Sequence, residues 1–285
     1  MRFFLTSGGN WFKQLALIKE AFVEADSLGF DGALMQDHYM WGTRVNRADA
    51  NATLEAWVTL TYLAAKTENI RLGTIVTPIP FRPPGILAKM LSTLDILSNG
   101  RVILGVGAGW SQDEFEGYSE WNKPKVRVDK TKEGLELMTK LWTEDEVTFE
   151  GEYYRAKRAV LEPKPVQKPY PQLLFGGGGD RMLRLAGRYA DICYVMSRGV
   201  NKEEIQKSKE KVLKSAERAN RVDKIAFASG LPSTRQDQYD PNEYFRDIES
   251  AVESGATYYI TPFPLTQDFV RYMKNFAKEI MPSFK

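Results

Sequence analysis

Two periodicities of apolar residues alternate along this chain. Short runs rich in β-branched and aromatic residues predict strands at Arg2 to Thr6, Asp31 to Gln36, Arg71 to Thr77 and Arg101 to Val106. Four more follow at Leu173 to Phe175, Asp191 to Val195, Ile225 to Ser229 and Thr257 to Thr261. Helical spacing fills the intervals: Phe12 to Leu28, Thr53 to Lys66, Pro84 to Leu97 and Asp129 to Trp142, then Arg181 to Tyr189, Lys202 to Ala219, Pro241 to Ser254 and Gln267 to Glu279. In the first of these, Leu15, Ile18, Phe22 and Ala25 share one face, and Gly29 stands where a helix should stop. Val147 to Arg155, with Gly151 in its middle, predicts a small hairpin added to the main pattern.

A repeating strand–helix unit implies a parallel sheet, and eight units suggest closure into a (β/α)8 TIM barrel. Periodicity alone also fits a doubly wound open sheet. The 285 residues match the roughly 250 of a typical barrel, and no shift in composition marks a linker, so residues 1–285 are expected to form a single domain. Pro163 to Pro171, with four prolines, reads as a stiff loop leading into the fifth strand.

Charge and cysteine content narrow the function. The 39 basic and 37 acidic residues nearly cancel and are interleaved, which argues against a nucleic-acid footprint. Cys193 is the sole cysteine, so an intrachain disulfide and a cysteine-based zinc site are excluded; its apolar neighbours predict a small buried hydrophobe. Charges interrupt the first thirty residues and no apolar stretch reaches transmembrane length, so a cytoplasmic protein without membrane association is expected.

In a barrel of this kind the loops after the strands carry the chemistry. The second strand leads into Asp37 and His38, the one histidine of the chain and the side chain best suited to proton transfer near neutral pH. Asp37 can orient it or satisfy loop backbone groups. The third strand runs into a proline-rich loop with a fixed positive charge at Arg82. The fourth ends in Gly105-Val106-Gly107-Ala108-Gly109-Trp110, where glycines allow close approach of a ligand to the backbone, although the full dinucleotide fingerprint is missing. The fifth ends in Gly176, Gly177, Gly178, Gly179 and Asp180 ahead of a helix. That glycine run offers backbone N–H groups and a helix dipole to a cofactor phosphate. Asp180 also has the chemistry of an N-cap. Ser197, after the sixth strand, is placed to add a hydroxyl to the same pocket. No residue set suggests a metal site.

Several segments in order resemble the luciferase-like monooxygenase superfamily, and more closely its deazaflavin-dependent branch. They include Glu24 to Asp31, Asp37-His38, Leu54 to Trp57, Ile70 to Thr74, Leu94 to Arg101, Leu104 to Trp110 with Glu114-Phe115, Pro163 to Pro169, Gly176 to Asp180 and Leu185 to Asp191. The last third of the chain matches only in strand–helix rhythm. The resemblance implies a bacterial luciferase-like (β/α)8 barrel, often a homodimer, holding coenzyme F420 or FMN at the barrel mouth. It implies that His38 is the active-site histidine, that Asp37 lies beside the ring, and that a cis peptide between Ile75 and Val76 forms a bulge behind it. Gly107, Ala108 and Gly109 would contact the ring or its side chain, and Gly177, Gly178 and Gly179 the phosphate. Trp110 stands where the branch's sugar-phosphate dehydrogenases carry glutamate; it gives the substrate pocket an aromatic wall and places a sugar-phosphate substrate in doubt. The expected activity is hydride transfer between coenzyme F420 and a small organic substrate. The alternatives are an FMN-dependent monooxygenase supplied by a partner flavin reductase and a non-catalytic flavin-binding protein. Substrate identity is left open, because loops such as 111–127 and 231–241 spell no recognisable chemistry.

Overall fold

Eight parallel strands close on themselves in the computed structural model, which describes residues 1–6, 10–41, 51–195, 202–230, 239–262 and 268–285. They are β1 (Arg2–Thr6), β2 (Gly32–Met35), β3 (Arg71–Thr74), β4 (Val102–Gly107), β5 (Gln172–Gly176), β6 (Ile192–Tyr194), β7 (Ala226–Gly230) and β8 (Tyr258–Pro262). Each pairs in parallel with the next, and β8 returns to β1 with Phe4 opposite Ile260. The sheet is therefore a closed barrel and not an open one.

Closure gives the sheet an inside and an outside, and successive side chains on each strand point to opposite faces. Phe4, Leu34, Ile103, Leu174, Ile192 and Ile260 fill the barrel interior. Their neighbours Phe3, Met35, Leu104, Phe175, Cys193 and Tyr259 point outward into a continuous layer beneath the helices. Burying one such Leu or Phe contributes about 1.5–3 kcal/mol. Strand β3 adds no bulk at the level of Ile103: a Cβ at Gly73 would lie 2.3 Å from the Ile103 carbonyl oxygen.

The helices are α1 (Leu15–Ser27), α2 (Ala56–Ala64), α3 (Pro84–Leu97), α4 (Gln112–Tyr118), α5 (Pro124–Thr143), α6 (Asp180–Tyr189), α7 (Lys202–Glu217), α8 (Pro241–Glu253) and α9 (Phe269–Asn275). Gly29 ends α1 with φ +76°, as its position predicts. A 3-10 turn, Phe12–Gln14, replaces the expected first turn of α1. Helix α2 begins at Ala56 and not Thr53, because the Glu55 side chain caps it by accepting from the N–H of Val58 at 2.7 Å. Helix α5 begins five residues before the expected Asp129, with Pro124 in its first turn. The hairpin pairs Val147–Glu150 with Arg155–Ala159, so its second strand runs beyond the expected end at Arg155. After α9 the chain continues as a π-helical turn, Phe276–Ile280, where one unbroken helix is predicted.

The third strand is shorter than its β-branched run predicts, and it breaks where the family resemblance implies a bulge. The run Arg71 to Thr77 breaks after Thr74; the Ile75–Val76 peptide is cis, and the chain resumes at Thr77–Pro78, pairing with Val106 and Gly107 of β4. Among the described residues no helix is long and apolar enough to cross a membrane, and no cluster of His, Cys, Asp and Glu is arranged to hold a metal.

Candidate active site

Parallel closure brings the C-terminal ends of β2, β3, β4 and β5 to one rim, which gathers most of the residues singled out in the sequence. His38 follows β2 there. Its Nδ1 lies 2.8 Å from Oε2 of Glu114 on α4, while the other carboxylate oxygen accepts from the backbone N–H of Tyr39 at 2.8 Å and of Met40 at 3.3 Å. Glu114 is 1% exposed, so these donors replace water around its carboxylate. Two further side chains pin the same loop. The Asn10 side-chain amide donates to the carbonyls of His38 and Leu54, each at 2.7 Å, and the Thr53 hydroxyl donates to the Tyr39 carbonyl at 2.5 Å. The imidazole is flanked by the rings of Trp41, 4.0 Å away between centroids, and Trp110, edge-on at 5.6 Å. Trp110 is half exposed at the rim. Among the described residues, the indole N–H of Trp41 is buried without a hydrogen-bond partner.

Asp37 points elsewhere and is also buried. Its Oδ2 accepts from Arg82 at 2.7 Å and from the Thr77 hydroxyl at 2.7 Å, and its Oδ1 accepts from the second guanidinium nitrogen at 2.9 Å. Arg82 also pairs with Glu55 and lies over the Tyr39 ring, 5.0 Å from its centroid. Burial is the largest single influence and lowers the guanidinium pKa, but Asp37, Tyr39 and Glu55 together raise it above its ordinary value. Burial raises the Tyr39 phenol too, so that side chain stays neutral. The charge expected at Arg82 is therefore neutralised within the protein, tying the β2 end to the β3 end.

Ile75 and Val76 sit partly buried on top of the inner-barrel cluster. Val76 fits between two strands because both face it with glycine: a Cβ on Gly107 would come within 2.6 Å of a Val76 methyl, and one on Gly176 within 2.9 Å. Ala108 is half-buried against the outer core, and Gly109 takes φ +77° where its missing Cβ leaves room for the Phe115 ring. An apolar shelf thus closes the barrel beneath the rim.

Gly177 and Gly179 behave differently from those packed glycines. Gly177 has φ +126°, and no atom lies within 4 Å of the place a Cβ would occupy at either residue. Gly179 is the N-cap of α6, and no side chain caps the helix. Asp180 is accordingly the first helical residue and not the cap; its carboxylate accepts from Lys211 at 2.7 Å, which holds it below the ordinary carboxylate range. Gly178 lies between them in the same turn, whereas Ser197 falls outside the described residues. An apolar shelf for a planar ring and an uncapped helix start beside open space for a phosphate fit a flavin-type cofactor.

The sequence singled out His38, Ile75, Val76 and the glycine turn. It did not single out Asn10 or Trp41, the contact of Glu114 with His38, or the Asp37–Arg82 ion pair. Glu114 had a signal, since it stands in the strongest family-like segment, but nothing local shows what it touches.

A model of the luciferase-like monooxygenase family matches residues 4–270. An F420-dependent glucose-6-phosphate dehydrogenase of Nakamurella multipartita is 39% identical over 171 residues, 59% of this chain and 48% of that protein. An FMNH(2)-dependent dimethylsulfone monooxygenase of Pseudomonas putida is 30% identical over 168 residues, 59% of this chain and 45% of that protein. The chain thus spans about half the length of these curated relatives. The solved structure of an F420-dependent secondary alcohol dehydrogenase with an F420-acetone adduct superposes with a TM-score of 0.83 at 23% identity, over 100% of this chain and 99% of that one, a likeness of fold. With the family model running from the first strand to the last helix, and the family-like segments falling at the strand ends that build the site, the chain belongs to the luciferase-like monooxygenase family.

Proposed function

We propose that residues 1–285 form one domain that acts as an F420-dependent oxidoreductase, exchanging hydride between the deazaflavin and a small organic substrate with His38 as the catalytic proton carrier. The observation that carries this reading is the histidine's setting: a single imidazole held by a buried carboxylate at the barrel mouth, above an apolar shelf. The dehydrogenase relative supports the choice of cofactor. When bound, coenzyme F420 supplies the hydride-exchanging carbon.

The chain's own part is orientation and proton transfer. Ile75 and Val76 would support the ring, and Gly107, Ala108 and Gly109 would contact the ring or its side chain. The backbone N–H groups from Gly177 to Asp180 would hold its phosphate. Asp37, clamped by Arg82, fixes the two loops around the ring. In the direction of alcohol oxidation, His38 accepts the hydroxyl proton as the adjacent C–H leaves as hydride. Trp41 and Trp110 beside the imidazole favour an uncharged substrate over a sugar phosphate. The P. putida relative supports the second reading, an FMN-dependent monooxygenase fed by a flavin reductase. A cytoplasmic homodimer goes with either reading; exposed Val58 and Tyr62 on α2 and Ile86 on α3 offer apolar surface for a second copy.

The test is turnover of F420 with a panel of short-chain secondary alcohols, followed by the cofactor's visible absorbance, in wild type and His38→Ala. Wild type is expected to reduce the cofactor. The variant is expected to lose about 10²–10⁴-fold in kcat while still binding it. Unchanged turnover in the variant would remove His38 from the chemistry.

A further inference from the structure

The proposed function assigns His38 a proton but does not say which nitrogen carries it. An imidazole can exchange a substrate proton only through a nitrogen that faces the substrate, and in the neutral ring only one of the two nitrogens accepts. The surroundings of Glu114 decide between them. An ionised carboxylate is solely an acceptor. Its Oε1 already accepts from the N–H groups of Tyr39 and Met40, so the oxygen facing His38, 2.8 Å from Nδ1, calls for a donor there.

We propose that Glu114 is a positioning residue that holds His38 as the Nδ1–H tautomer, leaving Nε2 as the proton-accepting atom. This rests on the reading of His38 as the proton carrier. The same contact fixes the ring plane, and the carboxylate stabilises the positive charge that the imidazole gains when Nε2 is protonated.

The packing around α4 shows how the sequence builds this contact across 76 residues of chain. Phe115, fully buried, packs on Phe81 at 4.6 Å and on Trp121 at 5.6 Å between centroids. Its ring occupies the space left by Gly109, where a Cβ would lie 2.4 Å away. Gly109 thus admits Phe115, Phe115 anchors the first turn of α4, and Glu114 beside it is delivered to His38. Chemistry and packing together account for Gly109, Glu114 and Phe115.

Glutamine at this position cannot satisfy both sides. With its oxygen turned to the Tyr39 and Met40 N–H groups, its amide N–H faces Nδ1 and demands an acceptor, which drives the proton to Nε2. Turned the other way, it sets an N–H₂ against two backbone donors.

The chain has one histidine, so protein labelled with ¹⁵N-histidine gives a single imidazole spectrum that needs no assignment. Long-range ¹H–¹⁵N correlation in buffer well above the ordinary imidazole pKa of about 6.5 reads the tautomer directly. Wild type is expected to show Nδ1–H, and Glu114→Gln to move toward Nε2–H. The variant's kcat is expected to fall by about 10²–10⁴-fold with cofactor affinity unchanged. Wild type as the Nε2–H tautomer would overturn the proposal whether or not the variant folds, and so would a folded Glu114→Gln that keeps Nδ1–H. The spectrum needs no cofactor, so failure to bind F420 would count against the proposed function while leaving the tautomer to decide the role of Glu114.

Discussion

Replacing Arg82 with methionine leaves a buried carboxylate almost without partners. Asp37 is 1% exposed and accepts three hydrogen bonds, two of them from Arg82 at 2.7 and 2.9 Å. After Arg82→Met only the Thr77 hydroxyl remains, at 2.7 Å. The cation over the Tyr39 ring and the partner of Glu55 go with it. Removing one member of a buried ion pair costs about 3–5 kcal/mol, because the other charge stays desolvated. Total stabilities run at about 5–15 kcal/mol, so this is about a fifth or more of the reserve, and at roughly 2–4 °C per kcal/mol it lowers Tm by about 6–20 °C. The double variant Asp37→Asn with Arg82→Met removes the stranded charge and is expected to recover at least half of the loss. Urea midpoints for wild type, both single variants and the double variant supply the cycle. A loss below about 1 kcal/mol for Arg82→Met, or a double variant no more stable than that single one, would refute the reading of this pair as a buried clamp.

Two other outcomes test the cofactor seat and the core separately. Gly179 has ordinary N-cap angles, φ −73° and ψ 135°, and open space where a side chain would go. Gly179→Val should therefore keep the wild-type urea midpoint while weakening cofactor affinity by at least about tenfold, or 1.4 kcal/mol; equal affinity would place the phosphate elsewhere. Burial pushes the Cys193 thiol up to about 12, against about 8.5 when unfolded. A raised pKa means that the unfolded state loses its proton first, so this contribution is intact below about pH 8.5 and is lost as pH climbs toward 12. Cys193→Ala should flatten part of the alkaline decline in urea midpoint, and parallel curves for the two proteins would contradict the assignment.

The barrel was legible because its determinants are local and repeated. Phe3, Phe4 and Leu5 form a short apolar run of strand length, which the barrel divides by sending Phe4 inward and its neighbours outward. The break in the third strand was legible from the family resemblance, which implied the Ile75–Val76 cis bulge, and not from the local pattern. Arg71 to Thr77 spells one β-branched run, and the place where it opens depends on Val76 meeting Gly107 and Gly176 from two other strands. Helix α4 has only seven residues, too few to announce a period, and was expected to be irregular. Among site residues, His38 and the glycine turn followed from strand ends and backbone chemistry. Glu114 reaches His38 from 76 residues away, and Arg82 reaches Asp37 from 45, so their roles emerge only once closure brings the strand ends together. Asp180 looked like a cap because Asp commonly is one; Gly179 holds that position, and Lys211 takes the carboxylate.

Equilibrium titration of the purified chain with coenzyme F420 and, in parallel, with FMN tests the cofactor reading most directly. Saturable F420 binding at least about tenfold tighter than FMN, weakened by Gly179→Val, is the expected result. Tight FMN binding with no measurable affinity for F420 would contradict it.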